Sequence, residues 1–177
     1  MSEVSVVRLM IGGALGPIGA ILYAVGFRHL YLAMRDGDLR LAQIAFVAFA
    51  TMMAFGGAVH SNYVTTGLVL RAREAAQAAD LEVMETLLEQ SDGYIRFLYI
   101  ILGTFGLVAS FVFVYAVLAR RTRYPRWIVF LTPTLLTLAF PLTRFVPSPV
   151  GGIVFGGFAN IAFLIFFIVS TSVLWKG

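Results

Sequence analysis

From Leu41 to Leu70 the chain runs through thirty residues without one Asp, Glu, Lys or Arg. A helix needs roughly 20 apolar residues to cross the hydrocarbon core, so this run belongs in a membrane. Its second half reads AFGGAVHSNYVTTGLV (Ala54–Val69) and carries His60, Ser61, Asn62, Tyr63, Thr65 and Thr66. Polar groups in hydrocarbon are costly without partners, and they usually face the bundle interior or a wet cavity. At helical spacing Gly56, His60, Tyr63 and Gly67 share one face. Two glycines for close approach and two polar rings make that face the first candidate for a binding site.

Composition agrees with a membrane chain. Charged residues make up 12% of the sequence, against about 25% in a soluble domain. No segment of the 177 residues outside the apolar runs is long enough to fold alone. One integral membrane domain over residues 1–177 is therefore expected. The chain has no cysteine, which excludes disulfides, thiolate metal sites and cysteine nucleophiles. The thirteen Lys and Arg gather at the ends of apolar runs, a topology signal and not a nucleic-acid footprint.

Five spans follow from the pattern: Leu9–Met34, Leu41–Leu70, Tyr94–Leu118, Trp127–Phe145 and Val150–Trp175. The first is too long, and its start too poor in basic residues, for a cleaved signal peptide. It contains Pro17, tolerated where a neighbouring helix satisfies the freed backbone group. Its Gly12, Gly13, Gly16 and Gly19 suit close helix packing. The second span exceeds a bilayer's needs, so it tilts or projects. Pro133 and Pro141 interrupt the fourth, and Pro125 suits the first turn leading into it.

Between spans two and three lies the one long polar segment, Arg71–Asp92. It holds six of the nine acids. Leu81, Met84 and Leu88 repeat at amphipathic spacing, and Asp80 fits an N-cap. An extramembrane amphipathic helix over about 74–92 is expected. Glu82, Glu85 and Glu89 share its face as a solvated surface; no turn-forming glycine folds them around an ion, and no metal site is expected.

With the N-terminus outside, the inner side receives Arg28, Arg35, Arg40, Arg120, Arg121, Arg123, Arg126 and Lys176. The outer side receives Arg8, Arg71, Arg73, Arg96 and Arg144. Eight against five favours N-out and C-in by the positive-inside rule, and Trp127 and Trp175 then both lie at the inner interface. No internal repeat supports a duplicated transporter.

At about 1.5 Å of rise per residue, His60 lies roughly 16 Å below the outer surface. Asn160 on the fifth span comes out at the same depth, as do Pro17 and Gly103. A polar cavity there would open outward past Tyr63, Tyr99, Arg96 and Arg144. The expected ligand contacts are thus His60, Asn62, Tyr63, Asn160, Tyr99, Arg96 and Arg144. Structural roles compete with this. His60 can bond a neighbouring carbonyl, Asn160 can join helices, and Ser and Thr can bond their own i−4 carbonyl.

Catalysis has little to work with. No Asp, Glu or Lys lies inside any span, which argues against ion pumping and against a retinal Schiff base. His60 is the one candidate acid or base, and adjacent Ser61 points elsewhere on the helix. A haem held by His29 and His60 fails on depth, since His29 sits near the inner end of span one. Arg28 there can snorkel to the interface. No cofactor is expected.

Four stretches carry a resemblance: GGALGPIGAILYAVGFRHLY (Gly12–Tyr31), GGAVH (Gly56–His60), YPRW (Tyr124–Trp127) and PSPVGGIVFGGFANIAFLIFF (Pro147–Phe167). Together they resemble a family of uncharacterised bacterial integral membrane proteins, a domain of unknown function. The resemblance implies a bacterial inner-membrane location and an intact helical bundle, and no activity.

The expectation is an all-α, polytopic transmembrane bundle of five spans with one amphipathic extramembrane helix. Its expected role is to hold a lipid, isoprenoid or other amphiphile in a midplane polar pocket. The alternatives are a membrane-embedded enzyme using His60 as acid or base, and a structural accessory subunit. Expected partners are membrane lipids and a homo-oligomer or larger membrane complex, with no nucleic acid.

Overall fold

A computed structural model describes residues 5–175; Lys176, counted above with the inner charges, lies outside them. The described chain is helical, without strands. Its long helices are α1 (Val6–Arg35), α2 (Leu39–Ala75), α3 (Leu81–Leu118) and α5 (Val150–Trp175), with a four-residue α4 (Pro133–Leu136) between α3 and α5. The four long helices are each long and apolar enough to cross a membrane, as a multi-pass membrane protein requires.

Helix α2 has 37 residues, about 55 Å at the usual rise. Helix α3 has 38. Both exceed the ~30 Å of a hydrocarbon core. The acidic segment is therefore not a separate helix. It is shared between the end of α2, a 3₁₀ turn at Ala78–Asp80 and the start of α3. Nothing stops α3 at the expected boundary: Gly93 is the only candidate breaker, and one glycine costs a helix only about 1 kcal/mol. Arg73 of α2 pairs with Glu85 of α3 at 3.0 Å, so Glu85 serves this hairpin.

The expected fourth span also differs. Residues Arg126–Leu131 and Thr137–Phe145 are 3₁₀ helices flanking α4. Proline explains the departure. Pro133 has no N–H for the carbonyl of Val129. Instead the Thr132 N–H and Oγ1 bond that carbonyl, at 3.3 and 2.9 Å. The whole segment runs antiparallel along α5. Tyr124 meets Ser170, Phe140 meets Phe158 and Phe155, and Val146 lies against Gly151.

The chain divides into two compact units. The first comprises the described residues up to Val25 together with Phe49–Phe105. The second comprises Gly26–Ala48 and the chain from Gly106 onward.

In the first unit, α1 and α2 approach at glycines. A Cβ on Gly16 would stand 2.4 Å from the His60 Cβ, and one on Gly13 would stand 2.2 Å from Val64. A Cβ on Gly57 would stand 3.1 Å from the Pro17 Cα and 3.2 Å from the Gly16 carbonyl oxygen. Gly12 and Gly19 have open space around them, so two of the four expected glycines make the contact. On the other side of α2, Val59 packs with Ile95 and Leu98 of α3.

In the second unit, Ala42, Ala45 and Ala48 recur along a buried stripe of α2. Phe27, Phe113, Phe163 and Phe166 form the aromatic core. Ser110 of α3 is hydrogen-bonded to Thr134 of α4.

Candidate functional site

Five of the expected ligand contacts fall in the first unit: His60, Asn62, Tyr63, Arg96 and Tyr99. His60 is exposed. By helical position it lies between two sets of α2 residues. Gly57, Ser61 and Val64 face α1; Val59, Tyr63 and Thr66 face α3. Its Cβ closes against Gly16, while its ring makes no hydrogen bond to a described residue. The neighbouring-carbonyl bond open to His60 is made by Ser61, whose Oγ donates to the carbonyl of Gly13 at 3.2 Å.

Beside His60, the Tyr63 and Tyr99 phenols stand 3.3 Å apart and share a hydrogen bond. The face expected to hold Gly56, His60, Tyr63 and Gly67 is thus bordered on both sides. Gly67 approaches Leu9 of α1, and Gly56 lies 3.5 Å from Leu102 of α3, as measured to an ideal Cβ.

Other expected contacts have structural uses. Asn62 donates its amide to the carbonyl of Ala58, four residues earlier, at 2.9 Å. Thr66, a polar residue of the same run outside the expected contacts, bonds Ser91 of α3 at 2.8 Å. Arg96 is exposed and pairs with Asp92 one turn before it. In the second unit, Asn160 is exposed on α5, and the Arg144 guanidinium sits 4.7 Å over the ring of Phe145.

The second unit holds a cleft that the sequence reading passed over. Its volume is about 240 Å³, and its lining includes His29 and Leu32 of α1, Arg123, and Thr171, Leu174 and Trp175 of α5. The Nε2 of His29 is buried with no hydrogen-bond partner among the described residues, a condition that costs roughly 1–3 kcal/mol where nothing else meets it.

Sequence builds this cleft through one strapped loop. Asp38 caps α2, accepting from the Leu41 N–H at 3.0 Å, and pairs with Arg121 at 2.8 Å. These contacts, the Leu41 N–H first, hold the Asp38 carboxyl below its ordinary value. The Arg123 N–H donates to the Ala33 carbonyl at 3.1 Å. Gly37 is needed here, because a Cβ would meet the Arg121 carbonyl oxygen at 2.2 Å. Next along the loop, Tyr124 is buried against Phe113 and bonds Ser170 at 2.6 Å. Burial pushes its phenol up to about 12. The backbone at Arg123 is thereby held where this residue and His29 line the same cleft.

The signals for this site were present but dispersed: a histidine at a span end, a basic loop and a terminal tryptophan. Only folding brings the three together.

The model of a family of unknown function, DUF6796, matches residues 1–177. The chain belongs to that family. Neither the curated proteins nor the solved structures include a match. In this DUF6796 member the quoted GGAVH stretch forms the α1 approach that ends at His60. The quoted YPRW stretch supplies the buried Tyr124, one residue beyond Arg123.

Proposed function

We propose that this chain is a membrane protein of five crossings that binds a lipid, isoprenoid or other amphiphile along the α2 face carrying His60. One observation carries the proposal. His60 is an exposed polar ring on a membrane-length helix, and it makes no hydrogen bond to a described residue. Such a group in hydrocarbon is costly until something polar meets it. An amphiphile can supply a hydroxyl or headgroup oxygen to the ring and its paired neighbours Tyr63 and Tyr99, while its chain lies on the apolar helix surfaces.

The fifth crossing is supported by the segment from Arg126 to Phe145, which runs antiparallel beside α5. Helix α5 ends at Trp175, beside Arg123 and the last turns of α1. A further crossing by the chain between α3 and α5 would carry it from that level to the start of α5 at the other, which supports this reading. The distribution of basic residues supports N-out and C-in, and the family resemblance supports a bacterial cytoplasmic membrane.

Native mass spectrometry from gentle detergent tests the binding proposal, with wild type beside His60→Ala. A small molecule of one mass should accompany the wild type and be lost from the variant. The same mass on both proteins, or bare protein in both, would overturn the assignment to His60.

A further inference from the structure

The cleft lined by His29, Arg123 and Thr171 has no part in the amphiphile proposal, and no residue of the His60 face lines it. Its chemistry is mixed. Arg123 offers a planar fork of donors suited to phosphate oxygens. Its guanidinium forms no ion pair with a described residue, and its backbone is tied to Ala33. Thr171 adds a hydroxyl. His29 contributes a ring whose Nε2 is shut away from solvent with no partner among the described residues. The terminal torsion of histidine is broad and roughly two-fold, so a modest turn of the ring can offer that nitrogen to an occupant. Leu32, Leu174 and Trp175 form the apolar part of the lining.

The location matters as much as the lining. The cleft lies among the last turns of α1 and α5 and the loop after α3, where spanning helices leave the hydrocarbon. Tryptophan at a span end sits at headgroup level. Basic loops at that level attract anionic lipid, and Arg120, Arg121, Arg123 and Arg126 all belong to this one. A free anion would use the polar groups and leave the leucines and Trp175 idle. A lipid uses both.

We propose that this cleft binds the phosphate headgroup of an anionic phospholipid, with Arg123 and Thr171 on the phosphate oxygens and His29 completing the set.

The test places the full chain in nanodiscs of phosphatidylglycerol mixed equally with phosphatidylcholine. The protein is then released into gentle detergent, and the retained lipids are counted by mass spectrometry. Wild type should favour phosphatidylglycerol by about tenfold, because both lipids offer phosphate oxygens but the choline cation of phosphatidylcholine would stand against Arg123 and the neighbouring arginines. Arg123→Gln and His29→Phe should each reduce that preference to about twofold or less. Arg40→Gln, an equal loss of charge on the same side, should leave it intact. If Arg123→Gln fails to fold, Thr171→Val carries the test and should lower the preference in the same direction. Equal retention of both lipids by wild type would overturn the proposal. So would an Arg40→Gln effect as large as that of Arg123→Gln. Displacement of the lipid by excess inorganic phosphate would overturn the lipid assignment in favour of a free anion.

Discussion

The hydroxyl of Ser61 donates to the carbonyl of Gly13 at 3.2 Å, and Gly13 is the residue four before Pro17. Pro17 has no N–H to give that carbonyl, so a side chain of the neighbouring helix takes its place. Two helices are joined at the point where one of them would otherwise be defective.

This relationship makes a double-mutant prediction. Ser61→Ala should destabilise the protein by about 1 kcal/mol. In a Pro17→Ala background the helix regains its own bond to Gly13, and the same change should cost less than about 0.5 kcal/mol. Unfolding in mixed micelles, followed by circular dichroism across the four proteins, measures the difference. Equal costs in both backgrounds would show that the Ser61 bond does not serve the proline.

The glycine contacts predict a sharp contrast along one helix. Gly16→Val should destabilise by about 1–3 kcal/mol, the usual cost of overpacking, because even a Cβ would lie 2.4 Å from that of His60. Gly19→Ala has open space and should be neutral or slightly stabilising, since alanine favours helix. Melting temperatures in one detergent compare the two directly.

The loop that carries Arg123 should respond to acid. The Asp38 carboxyl is held below its ordinary value of 3.8 by the Leu41 N–H and by Arg121. A depressed carboxylate contributes its stabilisation fully above the unfolded value. That contribution is lost as pH falls below 3.8 and through the folded value. Proteolysis by pepsin over this range should cut near residues 119–126 increasingly as pH falls. In Asp38→Asn the ion pair with Arg121 is absent at every pH, so cutting at the upper end of the range should rise and its pH dependence should flatten.

The antiparallel course beside α5 predicts where the loops emerge. The chain has no native cysteine, so single cysteines report cleanly. Thr122→Cys and Ser148→Cys should react with an impermeant maleimide from opposite sides of the membrane. Labelling of both Thr122→Cys and Ser148→Cys from one side would leave the Arg126–Phe145 segment as a hairpin within the membrane.

Much of the fold was legible because membrane helices are constrained by length and apolarity. Four of the five expected spans are long helices, and Pro133 and Pro141 marked the one that is not. The sequence missed the mechanism there, because proline forbids an α-helical bond without saying what replaces it. The acidic segment read as a separate helix because its polarity and the Leu81, Met84 and Leu88 spacing set it apart from the apolar span, whereas α3 runs on through Leu118 and Arg73 ties α2 to Glu85. At the candidate site, spacing placed His60 and Tyr63 on one face. It could not reveal that Asn62 spends its amide on Ala58 or that Ser61 answers Pro17. The His29 cleft could not be assembled from its dispersed signals for a different reason. Its residues lie near 29, 123 and 171–175, and periodicity within one helix carries no information across that distance.

The most direct test of the account is an experimental structure of the protein in lipid nanodiscs, with the density read beside His60. Elongated non-protein density along α2, with its polar end within hydrogen-bond reach of the His60 ring, is the expected result. A helix from a second copy packed onto His60, or a ring facing only disordered lipid, would contradict it.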